Sequence, residues 1–199
     1  MDRELFQQTS CIVLSAGSSE RMGMHKALLE FDKKTTFIEQ ITDTYLKAGL
    51  SLVVVVVSKE LYQRLEEVKP DLSEKVLLVI NPKPELGRFC SLQTGIQTIK
   101  PGNYCFFQNI DNPFTTENIL HDLFAFRKEA NVIIPVSQGK SGHPVLINSQ
   151  VVKEVGTTRL DDIRIDNFLR TFTIKRAEIA DNRILININS PGDYVNAGF

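Results

Sequence analysis

Cysteine and histidine are scarce in this sequence, three of each among 199 residues, and neither type forms a ligand pattern. Cys11, Cys90 and Cys105 lie far apart, as do His25, His121 and His143, so no zinc or iron site emerges from their spacing. An excess of charge of one sign is also missing. Lys and Arg number 23 against 24 Asp and Glu, a formal net charge of −1, so no global field draws in nucleic acid or an anionic membrane. Long apolar runs are absent. The longest, Leu50 to Val57, is interrupted by Ser51 and is far too short to span a bilayer. Met1-Asp2-Arg3-Glu4 places acids before any apolar run, which argues against a signal peptide and for a cytoplasmic location. Neither Gly-x-x-x-x-Gly-Lys-Ser/Thr nor Gly-x-Gly-x-x-Gly occurs, so the P-loop and the dinucleotide fingerprint are both excluded. No Ser-His-Asp or Cys-His constellation stands out either.

What is present reads as one globular unit. Apolar residues make up 42% and charged residues 24%, ordinary values for a soluble enzyme. Residues 1–199 are long enough to bury a proper core as a single domain. Strand-like and helix-like segments alternate. Cys11-Ile12-Val13-Leu14 reads as a strand. Thr36 and Glu39 have capping-box spacing before a helix carrying Ile38, Ile41 and Tyr45 on one face and closed by Gly49. Leu52–Val57 is a β-branched strand covered on both faces, and Val76–Ile80 reads as another buried strand. Between them Leu61, Leu65 and Val68 mark a helix ended by Pro70. Leu92, Ile96 and Ile99 mark a third, ended by Pro101-Gly102. Tyr104–Phe107 is a strand, Thr116 to Lys128 a helix, and Val132–Ile134 and Val145–Ile147 two strands joined by a polar turn. Ile184–Ile186 is the last strand. Parallel strands need crossovers, so this rhythm predicts a mostly parallel sheet with helices on both faces. The 132–147 segment should add an antiparallel strand. Cys11 and Cys105, inside strand-like runs, should be small buried hydrophobes, and Cys90 a bystander beside Arg88.

The most informative stretch is Leu14-Ser15-Ala16-Gly17-Ser18-Ser19-Glu20-Arg21-Met22-Gly23-Met24-His25-Lys26. It follows the first strand with small residues whose backbone N–H groups can turn toward an anion. Arg21 and Lys26 add two cations within five residues, a combination suited to a polyphosphate. Ligands of such sheets sit beyond the C-terminal strand ends. The opening loop, the loop after Ile80 and the loop after Phe107 all lie at that edge.

This stretch closely resembles the signature Leu-Ala-Ala-Gly-x-Ser-x-Arg-Met-Gly-x-x-Lys of the nucleotidyltransferases related to the molybdenum-cofactor enzymes. The sequence departs from it only at Ser15, small for small. The resemblance covers nearly the whole chain, strongest at residues 12–30, 87–95, 111–113 and 142–147 and weak from 148 to 183. It implies a Rossmann-like three-layer α/β/α domain of the nucleotide-diphospho-sugar transferase type. It also implies that Leu14 to Ser19, Arg21, Met22, Gly23 and Lys26 hold the triphosphate of an NTP. Arg21 would lie on the phosphates and Lys26 near the reacting phosphoryl group.

Further segments carry the resemblance. Asp111-Asn112-Pro113 matches an Asp-x-Pro whose Asp is a metal ligand. From the residues alone, Asp111 could equally form a turn before a helix capped by Thr116. Asn81-Pro82 opens, and Gly87 to Leu92 closes, a segment that in the family lies over nucleobase and ribose. Asn81 and Ser91 are the candidates there, with helix capping a compatible role for Ser91. Gly142-His143-Pro144-Val145-Leu146 has the form found in cytidylyltransferases of molybdopterin-type cofactors, which implies that Gly142 and His143 sit at the acceptor pocket. A backbone-bracing role for His143 is the other reading. Asn187-Ile188-Asn189-Ser190-Pro191-Gly192-Asp193 stands where the family has Asp-Ile-Asp-Thr-Pro-Glu-Asp. Asn189 thus replaces the acidic second metal ligand, although an asparagine oxygen still ligates Mg²⁺. Ser190-Pro191 also reads as a helix start.

The activity implied is Mg²⁺-dependent transfer of an NMP to a phosphorylated small-molecule acceptor of the molybdopterin type, with release of pyrophosphate. Catalysis would rest on Arg21, Lys26 and Asp111, as positioning and charge neutralisation rather than strong general-base chemistry. Ala16 precedes the loop glycine as in cytidylyl members, where guanylyl members tend to have Gly, so CTP is favoured. A partner enzyme receiving the finished cofactor would fit, and neither nucleic acid nor membrane would. The alternatives are a sugar- or alditol-phosphate nucleotidyltransferase, a non-catalytic nucleotide binder, and an interaction module using the fold as scaffold.

Overall fold

A computed structural model describes residues 2–17, 24–159 and 163–199. After a short helix α1 (Arg3–Gln8), strand β1 (Ser10–Ser15) enters the middle of the sheet. Helix α2 (Phe37–Ala48), strand β2 (Leu52–Val57), helix α3 (Lys59–Val68), strand β3 (Val76–Ile80), helix α4 (Gly87–Ile96) and strand β4 (Cys105–Asn109) follow, the helices serving as crossovers between parallel strands. Then come α5 (Glu117–Ala125), β5 (Val132–Ser137), β6 (Lys140–Ser141), β7 (Val145–Ile147), α6 (Ser149–Thr157), α7 (Ile165–Leu169), β8 (Ile174–Glu178) and α8 (Pro191–Asn196).

The eight strands form one mixed sheet in the order β3-β2-β1-β4-β7-β5-β6, with β8 pairing parallel to β5. β1 to β4 are mutually parallel, and β7 is antiparallel to both β4 and β5. Alternate residues of the central strands point to opposite faces, which divides the core in two. Cys11, Val13, Val53, Val55 and Val57 meet α2, α5 and Phe6 of α1 on one face. Ile12, Leu14, Val54 and Val56 meet α4, α6 and α7 on the other. The result is the three-layer α/β/α arrangement.

The local signals behave as their chemistry dictates. The Glu39 carboxylate accepts from the Thr36 N–H at 2.6 Å, and Gly49 closes α2 in the left-handed conformation (φ 110°). Thr116 caps α5 through the Ile119 N–H, and Ser190 caps α8 with Pro191 at its first position. Gly95 lets α4 press on the sheet, since a Cβ there would lie 2.7 Å from Ile12 Cγ2. Cys11 and Cys105 are buried, as expected of small hydrophobes.

Four expectations are corrected. β3 is not covered on both faces. It is the edge strand, with Leu77 and Ile80 43% and 40% exposed, because among the described residues no further strand pairs with its outer side. Ile184–Ile186 is not a strand but overlaps a 3₁₀ turn at Asn182–Leu185, the Ile184 and Ile186 N–H groups bonding locally and their C=O groups accepting from the Asn112 side chain and the His143 N–H. The real last strand is β8, whose pattern of exposed charged residues hides it from an apolar-run search. Finally, α4 and α5 end at Ile96 and Ala125, short of Ile99 and Lys128.

Candidate active site

The C-terminal ends of β1 and β4 open into a crevice of about 330 Å³. Leu14, Ser15, Ala16 and Gly17 form one wall, Asn109, Ile110 and Asp111 the floor, and Pro84, Gly87, Arg88 and Ser91 the opposite wall, with Lys26 between. The predicted loop, the Asp-x-Pro segment and the Gly-Ser-Leu segment therefore converge. The register explains it. β1 and β4 are neighbours with Leu14 opposite Asn109, so residues just past each strand end share one edge. Ser18, Ser19, Arg21, Met22 and Gly23 lie outside the described residues.

At the floor, the Lys26 ammonium donates to Asn189 Oδ1 at 2.8 Å and stands 3.6 Å from Asp111 Oδ2. The other carboxylate oxygen, Asp111 Oδ1, is enclosed and accepts no hydrogen bond from any described residue. Burial raises the Asp111 carboxyl above its ordinary range, while Lys26 and then Arg88 pull it back down. A half-satisfied buried carboxylate beside a single ammonium favours an additional cation. Asp111 thus fits a metal ligand. Asn189 fits a weaker one, since its oxygen is already engaged by Lys26. Among the described residues no group of three or more His, Cys, Asp or Glu side chains gathers to cage an ion. Such a donor set suits a hard cation that shares most of its ligands with phosphates and water. Asp193 adds charge nearby, and hydrogen bonds from the Asn189 N–H and Ser190 hold its carboxyl low.

A buried network fixes this floor. Gln108 Oε1 accepts from the Tyr45 hydroxyl at 2.6 Å and the Thr115 hydroxyl at 2.8 Å, and its Nε2 donates to Asn112 C=O. Asn112, fully buried, donates to the carbonyls of Ile184 and Ile186 at 3.0 and 2.8 Å. The Asp111 C=O accepts from the Ile188 N–H at 2.7 Å. These bonds clamp the 183–188 segment onto the loop after β4 and so deliver Asn189 to Lys26. Gly142 completes the clamp. The His143 N–H donates to Ile184 C=O at 3.1 Å, and a Cβ on Gly142 would meet that oxygen at 2.4 Å. Gly142 is therefore explained by backbone approach.

The remaining candidates separate into wall and support. Ser91 lies in the body of α4, which starts at Gly87 with Leu86 as N-cap, so Ser91 is not the cap. Its hydroxyl lines the crevice and accepts from Asn81 Nδ2 at 2.9 Å. Asn81 is buried, does not line the crevice, and also accepts from the Lys83 N–H and the Cys90 thiol. It positions Ser91. His143 also lies off the crevice lining, its Nε2 3.2 Å from Asn109 Nδ2. Sequence reasoning missed Asn109, Asn112 and Arg88. Asn112 was visible as the middle of Asp111-Asn112-Pro113, but the carbonyls it holds are more than 70 residues away.

Comparison with known proteins agrees with this geometry. The chain is 25% identical to the molybdenum cofactor cytidylyltransferase of Escherichia coli over 197 residues, 94% of each protein. The fold matches the Rv0371c protein of Mycobacterium tuberculosis with a TM-score of 0.79 at 18% identity, covering 96% of this chain and 97% of that one. A manganese complex of Rv0371c matches with a TM-score of 0.72 at 15% identity over 95% and 97% of the two chains. The MobA-like NTP transferase domain matches residues 11–177, most of the chain, and with the crevice, the Asp-x-Pro floor and the doubly covered sheet this makes the protein a member of that nucleotidyltransferase family.

Proposed function

We propose that this protein transfers CMP from CTP to a phosphorylated acceptor of the molybdopterin type, with Mg²⁺ as the metal. The observation that carries the reading is Asp111. It is a half-buried carboxylate with one enclosed oxygen unsatisfied, next to Lys26, at the floor of a crevice walled by a small-residue loop.

CTP would lie along the 14–19 loop, its phosphates over Gly17 and Lys26, with Arg21 assigned to the phosphates by family resemblance. The methyl of Ala16, buried in the crevice wall, narrows the base pocket and disfavours a purine. Ser91, held by Asn81, faces the ribose and base. An oxygen of the acceptor phosphate, already anionic near neutral pH, attacks the α-phosphorus. The new P–O bond forms as the bond to the β-phosphate oxygen breaks, and pyrophosphate leaves with the electron pair. No proton has to be removed, so the site needs no general base, in keeping with its lack of one. Mg²⁺, held by Asp111 and Asn189, would supply charge neutralisation to the phosphate oxygens. Lys26 supplies a fixed positive charge at the same place, and its bonds to Asp111 and Asn189 aim it before substrate arrives.

The test is pyrophosphate release with CTP, GTP, ATP or UTP against molybdopterin and a panel of sugar and alditol phosphates. Release with CTP and molybdopterin alone is the expected result. Release with a sugar phosphate would move the acceptor class, and nucleotide binding without any release would make the protein a binder.

A further inference from the structure

Asn109 forms a polar pair with His143 across the end of β4, and Asn109 lies outside the motifs that carry the family resemblance. Asn109 ends β4 opposite Leu14 of β1, so its side chain stands at the crevice floor two residues before Asp111. In the sheet order, β1 separates the β2–β3 side, from which Asn81 and Ser91 come, from the β4–β7 side, from which Asn109 and His143 come. Asn109 therefore faces the half of the crevice away from the proposed nucleotide wall.

The polarity of the pair is fixed by chemistry. Burial pushes the His143 imidazole down to about 4, with Arg88 adding to the effect, so the ring is neutral near pH 7. A neutral imidazole has one donor and one acceptor nitrogen. Nε2 faces the Asn109 amide nitrogen at 3.2 Å and must accept. The proton then belongs on Nδ1, which is enclosed and has no partner among the described residues. With one of its two amide N–H groups held by His143, the Asn109 carboxamide offers its oxygen to the crevice it lines, and that oxygen accepts no bond from any described residue.

We propose that Asn109 is a specificity-determining residue for the acceptor. Its amide oxygen, locked toward the crevice by His143, accepts a hydrogen bond from an N–H or O–H that the acceptor carries close to its reacting phosphate. Asn109 touches substrate, and His143 is a positioning residue that acts through it. This assignment rests on the functional reading above and deepens it. An acceptor lacking such a donor covers the amide oxygen without pairing it and is rejected more strongly than shape alone achieves.

The experiment combines a structural and a functional readout. Nitrogen-15 NMR of the wild-type protein at pH 7 should show the Nδ1–H tautomer of His143. Calorimetry with CTP and with molybdopterin, and pyrophosphate release, would be measured for wild type, Asn109→Leu, His143→Phe and the double variant. Asn109→Leu should raise the acceptor KM about ten-fold while CTP affinity stays within two-fold, which also shows that the variant is folded. His143→Phe should raise the acceptor KM about three-fold with little change in kcat, and the double variant should be no worse than Asn109→Leu. An Nε2–H tautomer in a wild type that turns over would overturn this assignment alone. So would additive effects, or a loss of CTP affinity larger than the loss for molybdopterin. Absence of both molybdopterin binding and turnover in the wild type would overturn the functional reading and the acceptor assignment together.

Discussion

The two rims of the crevice are built on different principles. The rim at residues 108–112, 142–143 and 184–189 is built on a hydrogen-bond network, in which Gln108 and Asn112 are fully buried and each holds two or more partners. The rim at residues 82–88 is exposed throughout, and among the described residues Arg88 makes no hydrogen bond or ion pair. The floor rim spends most of its polar groups on itself, leaving Asp111 Oδ1, Asn112 Oδ1 and His143 Nδ1 without a hydrogen bond among the described residues, and Asp111, Lys26 and Asn189 stand in fixed relation before a ligand arrives. The exposed rim keeps its polar groups for the ligand. Substitutions of the bonded network residues Gln108 and Asn112 should therefore lower stability and activity together, whereas those on the second rim should change binding and leave the fold intact.

The comparison breaks most sharply at Asp111. Asp111→Asn should cost on the order of 100-fold or more in kcat, read by pyrophosphate release, while thermal melting stays level or rises. Removing a carboxylate that burial disfavours relieves the fold. A large loss of stability would instead make Asp111 a structural member of the network. Next comes Asn112→Leu, which strands the Ile184 and Ile186 carbonyls and should cost about 3 kcal/mol in denaturant unfolding, with activity falling as Asn189 drifts from Lys26. Unchanged stability would show that the clamp does not hold the rim.

A pH effect of about 2 kcal/mol should follow from His143. Its folded pKa, about 4, lies below the ordinary value, so the unfolded chain binds the proton first. Stability is full above about pH 6.5 and falls as the pH drops toward 4. Asp111, raised by burial, works in the opposite sense at the acid end of that window. Chemical unfolding at pH 7 and pH 5 checks it, and His143→Phe should flatten the difference. The smallest change belongs to the exposed rim. Arg88→Ala should weaken binding several-fold through loss of an exposed charge, with melting unchanged to within a degree or two. A clear drop in melting temperature would erase the distinction between the rims.

Much of this site was legible in the sequence, and what failed was consistent in kind. The 14–26 loop announces itself because small residues and cations sit at fixed spacings within one segment, whereas Asp111, Ser91 and Asn189 stand out only through the family resemblance. The Ser91 cap failed because Gly87 begins the helix four residues earlier, and helix starts are weakly marked where no Ser, Thr, Asp or Asn stands at the cap. β3 was read as covered because an apolar run looks the same in the centre of a sheet and at its edge. β8 was missed because an outer strand carries charged residues on its open side.

The sequence by itself determined the alternation of strands and helices from β1 to β4, the family, and the small-residue loop that follows the first strand. Those rest on periodicity, capping and short motifs, all local properties of the chain. Only the tertiary structure decided that Lys26 bridges Asp111 and Asn189, that Asn112 and Gly142 fasten the 183–188 segment, and that His143 acts on Asn109. Each of these joins residues separated by 34 to 163 positions. The energy that selects such contacts comes from burial and from satisfying enclosed polar groups, terms that exist only once the distant segments have met.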